Sequence, residues 1–506
     1  MITYSKFPKY DKFKKSGAYE VPTSPDYRVY INGEELPVYT SRISSYPFNR
    51  TWPGYQRPIE QSELVSFVNL VTDEQVTIEV EPLKKVNAQR VMLKPYAKEI
   101  VVDEKEGRYV FTLKENGGYV FELDDYHGLL YIFNNKPVLC ESPESVSYYF
   151  GPGVYFVGNL RLKSNESIYL DKDAYIYGSI FAEEAENVVV YGNGIFDDSH
   201  EERFSPHCSS PYNGNIRFHD CKNVKIAGIG FQNSATWCVN LFHCFDVEID
   251  GINVFGQWRY NTDGVDIVNC QRITIRNSFI HSFDDTITIK GYSWDYDTDN
   301  CDMLFERCVL WCDWGRTCEL GLETGCREYR NIVFRNCDLL RAGSVACDIQ
   351  NGDCAEIHDI TFENIRVELE GFYTVSVYQA NDAQKYEAQD SLEVATIVSI
   401  TNKRYREREI FEEVGFLGVD DFKKPKKEKY ASVCDVQFKD IFIYADEKVL
   451  KCMDGKCAVV KIKNSLEGSE YKNITIENVV VNGERLTAEQ MRVDLRGIDD
   501  KDVHIK

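Results

Sequence analysis

The sequence predicts an all-β protein: a right-handed parallel β-helix (a β-solenoid) with an N-terminal antiparallel β-sandwich domain. Three observations carry this expectation. A strand pattern of apolar–x–apolar, a turn-like pair and a second apolar alternation recurs from Val188 onward. Residues 1 to about 140 lack that recurrence and carry hairpin signals instead. The composition leans the same way, with 32 Tyr and 28 Phe among 506 residues, because aromatic and β-branched side chains fit a pleated, half-buried surface.

In the N-terminal part, RVYINGEELPVY places Asn32-Gly33 between two alternating segments, the signature of a type I′ hairpin turn. FVNLVTDEQVTIEVEP and RYVFTLKENGGYVFEL read as two more hairpins. Together they suggest a sandwich over residues 1–140, joined near Lys136-Pro137 to a helical domain over residues 141–506. Its expected role is to cap the open end of the helix, whose unpaired strands would otherwise invite association.

The repeat itself reads VKIAGIGF at 224, VEIDGINV at 247, ITIRNSFI at 273, MLFERCVL at 303, IVFRNCDL at 332 and ITFENIRV at 360. VQFKDIFI at 436 and ITIENVVV at 474 follow, and VVVYGNGIF at 188 belongs to the same series. The first six starts are separated by 23, 26, 30, 29 and 28 residues. A period of this size built from strands marks a solenoid whose apolar residues stack coil upon coil. Leucine-rich repeats would need helical stretches and LxxLxL, which the sequence lacks. The varying period fits a parallel β-helix, in which loops lengthen on one side without disturbing the core. Residues 379–432 interrupt the series as a large insertion, and the KKPKKEK run at 423–429 reads as a solvated loop in so acidic a chain.

Net charge is −23, which repels nucleic acid and anionic membrane surfaces and disfavours polyanionic ligands. No nucleic-acid or membrane partner is expected, and a homo-oligomer is compatible with the composition. MITYSKFPKYDKFKK has no apolar core of a secretory signal, so a cytoplasmic location is expected. Among 17 cysteines, Cys221, Cys244 and Cys270 each stand three residues before a repeat start. They are expected as a stack of small buried side chains rather than disulfides or metal ligands. Cys308/Cys312 and Cys452/Cys457 lack zinc spacing and nearby histidines. DYDTDN followed by Glu306 resembles a calcium loop, but Asn300 replaces the sharp-turn glycine, so neither metal nor cofactor is expected.

The chemistry concentrates in NTDGVDIVNCQRITIRNSFIHSFDDTITIKGY, residues 261–292. Asp263 and Asp284 are 21 residues apart, about one coil, so they should lie on neighbouring rungs at roughly the 4.8 Å spacing of strands. Val265, Ile267, Ile287 and Ile289 take the inward phase, and strict alternation would then bury Asp285. Burying an unpaired carboxylate is costly, so a bend at Phe283–Asp285 should present both acids, with Gly264 giving similar freedom beside Asp263. A lone Asp-Asp pair is turn decoration more often than catalysis. Two acidic clusters one coil apart, with Lys290 on the outward phase, point to a site. Crowded carboxylates raise at least one pKa, supplying the acid and base that glycosidic hydrolysis requires.

Residues 216–292 resemble the signature region of glycoside hydrolase family 28, the polygalacturonase family. NTDGVD is similar to its NTDGxD motif, and FDDTITIKGY to its DDCxAIKSG motif with Thr286 in place of the cysteine. LKSNESIYLDKDAYIYGSI and VVVYGNGIFDD resemble its opening coils, so the likeness covers about residues 150–365. The sandwich-plus-helix arrangement is also similar to glycoside hydrolase family 49, the dextranase and isopullulanase group. The resemblance implies an inverting hydrolase without cofactor, in which Asp284 protonates the leaving oxygen while Asp263 and Asp285 activate water.

Two departures shape the expected substrate. Arg316 and Thr317 stand where the family has the His-Gly of its GHG motif, and Asp348-Ile349-Gln350 where it has the RIK that grips a galacturonate carboxylate. A carboxylate in place of an arginine repels an anionic sugar, so a neutral saccharide is expected. Its candidate contacts are Asn261, Lys290, Arg316, Glu319, Glu323, Asp348 and Gln350, with Tyr292 and Trp294 as stacking residues at the rim. The competing readings are a noncatalytic carbohydrate-binding β-helix, a pectin-related exo-glycosidase acting on uronates, and a β-helix lyase or epimerase.

Overall fold

The computed structural model describes residues 1–6, 21–45, 59–84, 88–202, 214–291, 298–353, 355–370, 394–402, 432–465 and 468–506. Thirty strands, from Tyr148–Phe150 to Val503–Ile505, form one continuous sheet wound into a right-handed β-helix, parallel except where Glu484–Arg485 pairs antiparallel with Glu470–Val481. The repeats stack in register: Val188, Val224, Val247, Ile273, Met303, Ile332, Ile360, Val436, Ile474 and Val503 pair in that order down one column. Each is buried, which contributes about 1.5–3 kcal/mol per side chain of this size. Beside them Phe305, Phe334, Phe362 and Phe438 stack at 4.4, 5.2 and 4.9 Å between centroids. Cys221, Cys244 and Cys270 are buried free thiols in the same core.

The coil corners explain the turn-like residues of the repeat. Asn187, Asn223, Asp246, Arg272, Asp302, Asn331, Asp359, Asp435 and Asn473 each precede a residue of the buried column, and all have φ between 52° and 59°. Asn and Asp enter this left-handed region more readily than other non-glycine residues because their short polar side chains bond locally. The corners also bond to one another between coils, as in Asn223 to Asn187 at 2.6 Å and Asn473 to Asp435 at 2.6 Å.

The N-terminal domain is a two-sheet sandwich. One sheet orders Ile2–Tyr4, Ser62–Thr72, Asp125–Asn135, Gly117–Leu123 and Val91–Lys94, with Tyr39–Ser44 also on Ser62–Thr72. The other orders Glu34–Leu36, Tyr27–Ile31, Val76–Pro82, Arg108–Leu113 and Asp103–Lys105. Pairing is antiparallel except between Asp125–Asn135 and Ser62–Thr72, which run parallel. Asn32 and Gly33, with φ of 53° and 79°, form the expected tight turn. The other two expected hairpins are corrected: Ser62–Thr72 and Val76–Pro82 lie in different sheets, as do Arg108–Leu113 and Gly117–Leu123. Their turns carry the chain across the sandwich core instead of back along one sheet.

The capping role is corrected too. Phe67, Tyr131 and Phe133 of the six-stranded sheet pack against Tyr175, Phe255, Phe279, Trp311 and Leu340, so the sandwich lies along the flank of the helix over successive coils. That sheet is therefore covered on both faces, and the Ser62–Thr72 strand is buried almost throughout without alternation. The junction also holds buried charge: Arg341 donates to Glu122 at 2.8 and 3.0 Å and to Glu370 at 2.8 Å, and Lys94 donates to Glu368 at 2.9 Å. Within the stretch expected as an insertion, Thr396–Asn402 is a rung of the helix between Val345–Asn351 and Val459–Asn464. The KKPKKEK run, Tyr292 and Trp294 lie outside the described residues.

Candidate active site

One face of the helix is built from the strands Ile216–His219, Val239–Phe242, Val265–Val268, Ile287–Gly291, Arg316–Thr324 and Val345–Asn351. Alternate positions face the core, and the positions between them form a second column: Arg217, Asn240, Asp266, Thr288, Glu319 and Asp348 pair in that order. The same stacking that aligns the apolar core thus aligns a polar ladder.

Asp263, Asp284 and Asp285 stand at the entry to this face. Phe283 and Asp284 form the expected bend between the strands Phe279–Ser282 and Ile287–Gly291, but it leaves Asp284 and Asp285 buried, each 7% exposed, rather than openly presented. The bend is tied to the neighbouring coil by Phe283 N–H to Thr262 O at 3.1 Å and Gly264 N–H to Asp285 O at 2.8 Å. Gly264 serves by its size: a Cβ there would come within 2.4 Å of Thr286 O. Gly315 is equally constrained, because a Cβ would lie 2.4 Å from Asp285 Oδ1 and 2.6 Å from Asp284 Oδ1. Thr286 is fully buried, and its Oγ1 donates to Trp311 O at 3.3 Å.

Two cations organise the carboxylates. Lys290 Nζ lies 3.2 Å from Asp263, 3.1 Å from Asp266 and 3.7 Å from Asp285, with the Trp237 ring 4.5 Å away. The Arg316 guanidinium stands 3.7 Å from Asp285, 3.9 Å from Glu319 and 3.8 Å from Asp348. Asp285 is shared by both cations and also accepts the Arg316 backbone N–H at 2.9 Å. Burial pushes its carboxyl up, but Arg316 and Lys290 outweigh burial and hold it below the usual carboxylate range. Its neighbour goes the other way: burial, reinforced by the charges of Asp263 and Asp285, holds the Asp284 carboxyl well above that range. Burial raises Asp266 to about 7 against the pull of Lys290, and burial with the charge of Asp266 holds Asp263 well above the usual carboxylate range. Asp348 is pushed by burial to about 6, against Arg316.

Of the expected sugar contacts, Arg316 is half-exposed, Gln350 and Glu323 are partly buried, and Asn261 (φ 58°) makes the turn ahead of Asp263. Lys290 and Asp348 are buried among carboxylates, and Glu319 has no exposed surface. Sequence reasoning gave Asp266 no role, although its outward phase within VDIV and its place beside Asp263 were visible. Trp237 lies within the 216–292 stretch that resembles the family, and only the register brings it against Lys290.

Residues 147–405 match the family described as glycosyl hydrolases family 28. The chain belongs to that family. A polygalacturonase from Malus domestica is 24% identical over 223 residues, 42% of this chain and 46% of the relative. A polygalacturonase from Persea americana is 31% identical over 105 residues, 20% of this chain and 22% of the relative. The chain thus matches less than half the length of either. Among solved structures, Dex49A from Penicillium minioluteum superposes with a TM-score of 0.64 at 13% identity, covering 100% of this chain and 98% of that one. This family 28 chain therefore shares the whole sandwich-plus-helix fold with Dex49A.

Proposed function

We propose that this family 28 member is an inverting glycosidase that cleaves an O-glycosidic bond in a neutral oligosaccharide or polysaccharide. One observation carries the reading: two adjacent carboxyls are driven in opposite directions, with Asp284 kept protonated and Asp285 kept ionised. That is the acid and base pairing glycosidic hydrolysis needs. Asp284 gives its proton to the leaving oxygen as the bond to the anomeric carbon breaks. Water attacks that carbon from the opposite side and passes a proton to Asp285, with Asp263 held beside it through Lys290. The two aspartates end with exchanged protons, and the new reducing end has inverted configuration.

The neutral-sugar reading rests on Asp348 and Gln350, which stand where the family resemblance calls for basic residues. A uronate reading is supported by the names of the two plant relatives and by half-exposed Arg316. Incubation with a panel of neutral α-linked oligosaccharides and with polygalacturonate, with products and anomer read by proton NMR, separates the two. Cleavage of polygalacturonate alone would refute the neutral-sugar reading, and an unsaturated product absorbing in the ultraviolet would refute hydrolysis. D284N should lose turnover and keep saccharide binding; unchanged turnover would remove Asp284 from the mechanism.

A further inference from the structure

Glu319 lies at the centre of the polar ladder, in register with Thr288 on one coil and Asp348 on the next. It is fully buried. Gln350 Nε2 donates to its Oε1 at 2.9 Å, Thr288 Oγ1 lies 3.1 Å from its Oε2, and the carboxyl also hydrogen-bonds with Asp285. A threonine hydroxyl has a single hydrogen. The nearer neighbour of Thr288 Oγ1 is the carbonyl oxygen of Gly321 at 2.9 Å, which can only accept, so the Thr288 hydrogen goes there. Asp285 has no hydrogen to offer either. The Arg316 backbone N–H at 2.9 Å, the Arg316 guanidinium at 3.7 Å and Lys290 at 3.7 Å all favour its ionised form. An ionised Glu319 would leave its contact with Asp285 without a hydrogen and set two buried charges against each other.

We propose that Glu319 is a positioning residue that keeps its proton and donates it in a hydrogen bond to Asp285, leaving Asp285 as the ionised base of the site. The assignment of a base rests on the glycosidase reading; the location of the proton does not. Burial and the charge of Asp285 hold the Glu319 carboxyl well above the usual range, against Arg316 and Lys290. The charged groups that face it are Asp285, Arg316, Lys290 and, from the next coil, Asp348. Glu319 is therefore not a sugar contact, because its oxygens are occupied inside the wall of the site.

Infrared difference spectra of the whole protein against E319Q at neutral pH locate the proton. The wild type should show a protonated-carboxyl C=O band that the variant lacks; a pair of carboxylate bands in its place would overturn the proposal. The function of that proton is read from the pH profile of kcat/KM on whichever glycoside the protein cleaves. E319L removes the donor and should move the acid limb up by about one to two pH units, the worth of one hydrogen bond to a charged group. E319Q keeps an N–H donor and should leave that limb close to the wild type. An unmoved limb in folded E319L, or a limb that E319Q moves as far as E319L does, would overturn the positioning role. If no glycoside is cleaved, the hydrolase reading fails by itself and the infrared comparison still decides where the proton sits.

Discussion

Replacing Lys290 with Met tests the electrostatic reading of the site through stability. Lys290 is 4% exposed, and its ammonium stands 3.2, 3.1 and 3.7 Å from Asp263, Asp266 and Asp285. Met keeps much of the apolar stem, so the change removes mainly charge, together with the ammonium that stands over the Trp237 ring. Removing one partner of a buried ion pair costs about 3–5 kcal/mol, but here the cost should depend on pH. Asp266 titrates at about 7 in the folded chain, above the roughly 3.9 of an unfolded aspartate. A carboxyl raised by folding binds more protons folded than unfolded, so its contribution to stability falls as pH rises through that window. Lys290 offsets this only once Asp266 ionises. At about pH 8 the K290M loss should therefore approach about 3–5 kcal/mol. At about pH 5 Asp266 carries its proton while Asp285 stays a charged partner, and the loss should shrink to about half or less. Calorimetric unfolding of both proteins at the two pH values measures the difference. Equal losses at both, or no loss at the higher pH, would refute the placement of these protons.

Three further substitutions probe other parts of the structure. G315A forces a methyl group against Asp284 Oδ1 and Asp285 Oδ1; a displacement of about 1 Å should lower kcat about 10²-fold, measured with unfolding midpoints to show that the fold persists. R341M strands Glu122 and Glu370 in the buried junction between sandwich and helix. Burial pushes Glu370 up, but Lys94 and Arg341 hold it at about 2, so urea unfolding at neutral pH should show a loss of about 3–5 kcal/mol. Y131F removes a hydroxyl 2.5 Å from His281 Nδ1, whose Nε2 lies 3.0 Å from Asp313; leaving the buried ring nitrogen unpaired should cost about 1–3 kcal/mol by the same measurement.

The helix was legible because its determinants are local and repeated. Val224, Val247 and Ile273 announce the core column, and Asn223, Asp246 and Asn331 announce the corners, since each does the same job in every coil. The proximity of Asp263 to Asp284 followed from the coil length alone. The sandwich was less legible. Whether Val76–Pro82 pairs back on Ser62–Thr72 or crosses to the other sheet depends on which faces are covered, and the lateral docking on Phe255, Phe279 and Trp311 lies far away in sequence. The expected insertion at 379–432 hid the rung Thr396–Asn402 because the flanking spacing no longer matched one coil. Glu319 was expected to touch sugar, and its burial in the polar ladder between Thr288 and Asp348 became visible only with the register.

A parallel β-helix makes an acidic site easy to build and difficult to hold ionised. In-register stacking brings equivalent positions of successive coils to about the strand spacing of 4.8 Å, where like charges repel. Here Asp266, Glu319 and Asp348 share one ladder, with Thr288 separating the first two. Asp263, Asp284 and Asp285 crowd its entrance. Lys290 and Arg316 each serve three carboxylates, and Asp285 alone belongs to both sets. The negative charge left over is reduced by keeping protons on Asp284 and Glu319. A site so arranged already contains a proton to give and a base to receive one. On the neutral-sugar proposal, a sugar carboxylate would bring one more negative charge to a cluster in which Lys290 and Arg316 each already face three carboxylates.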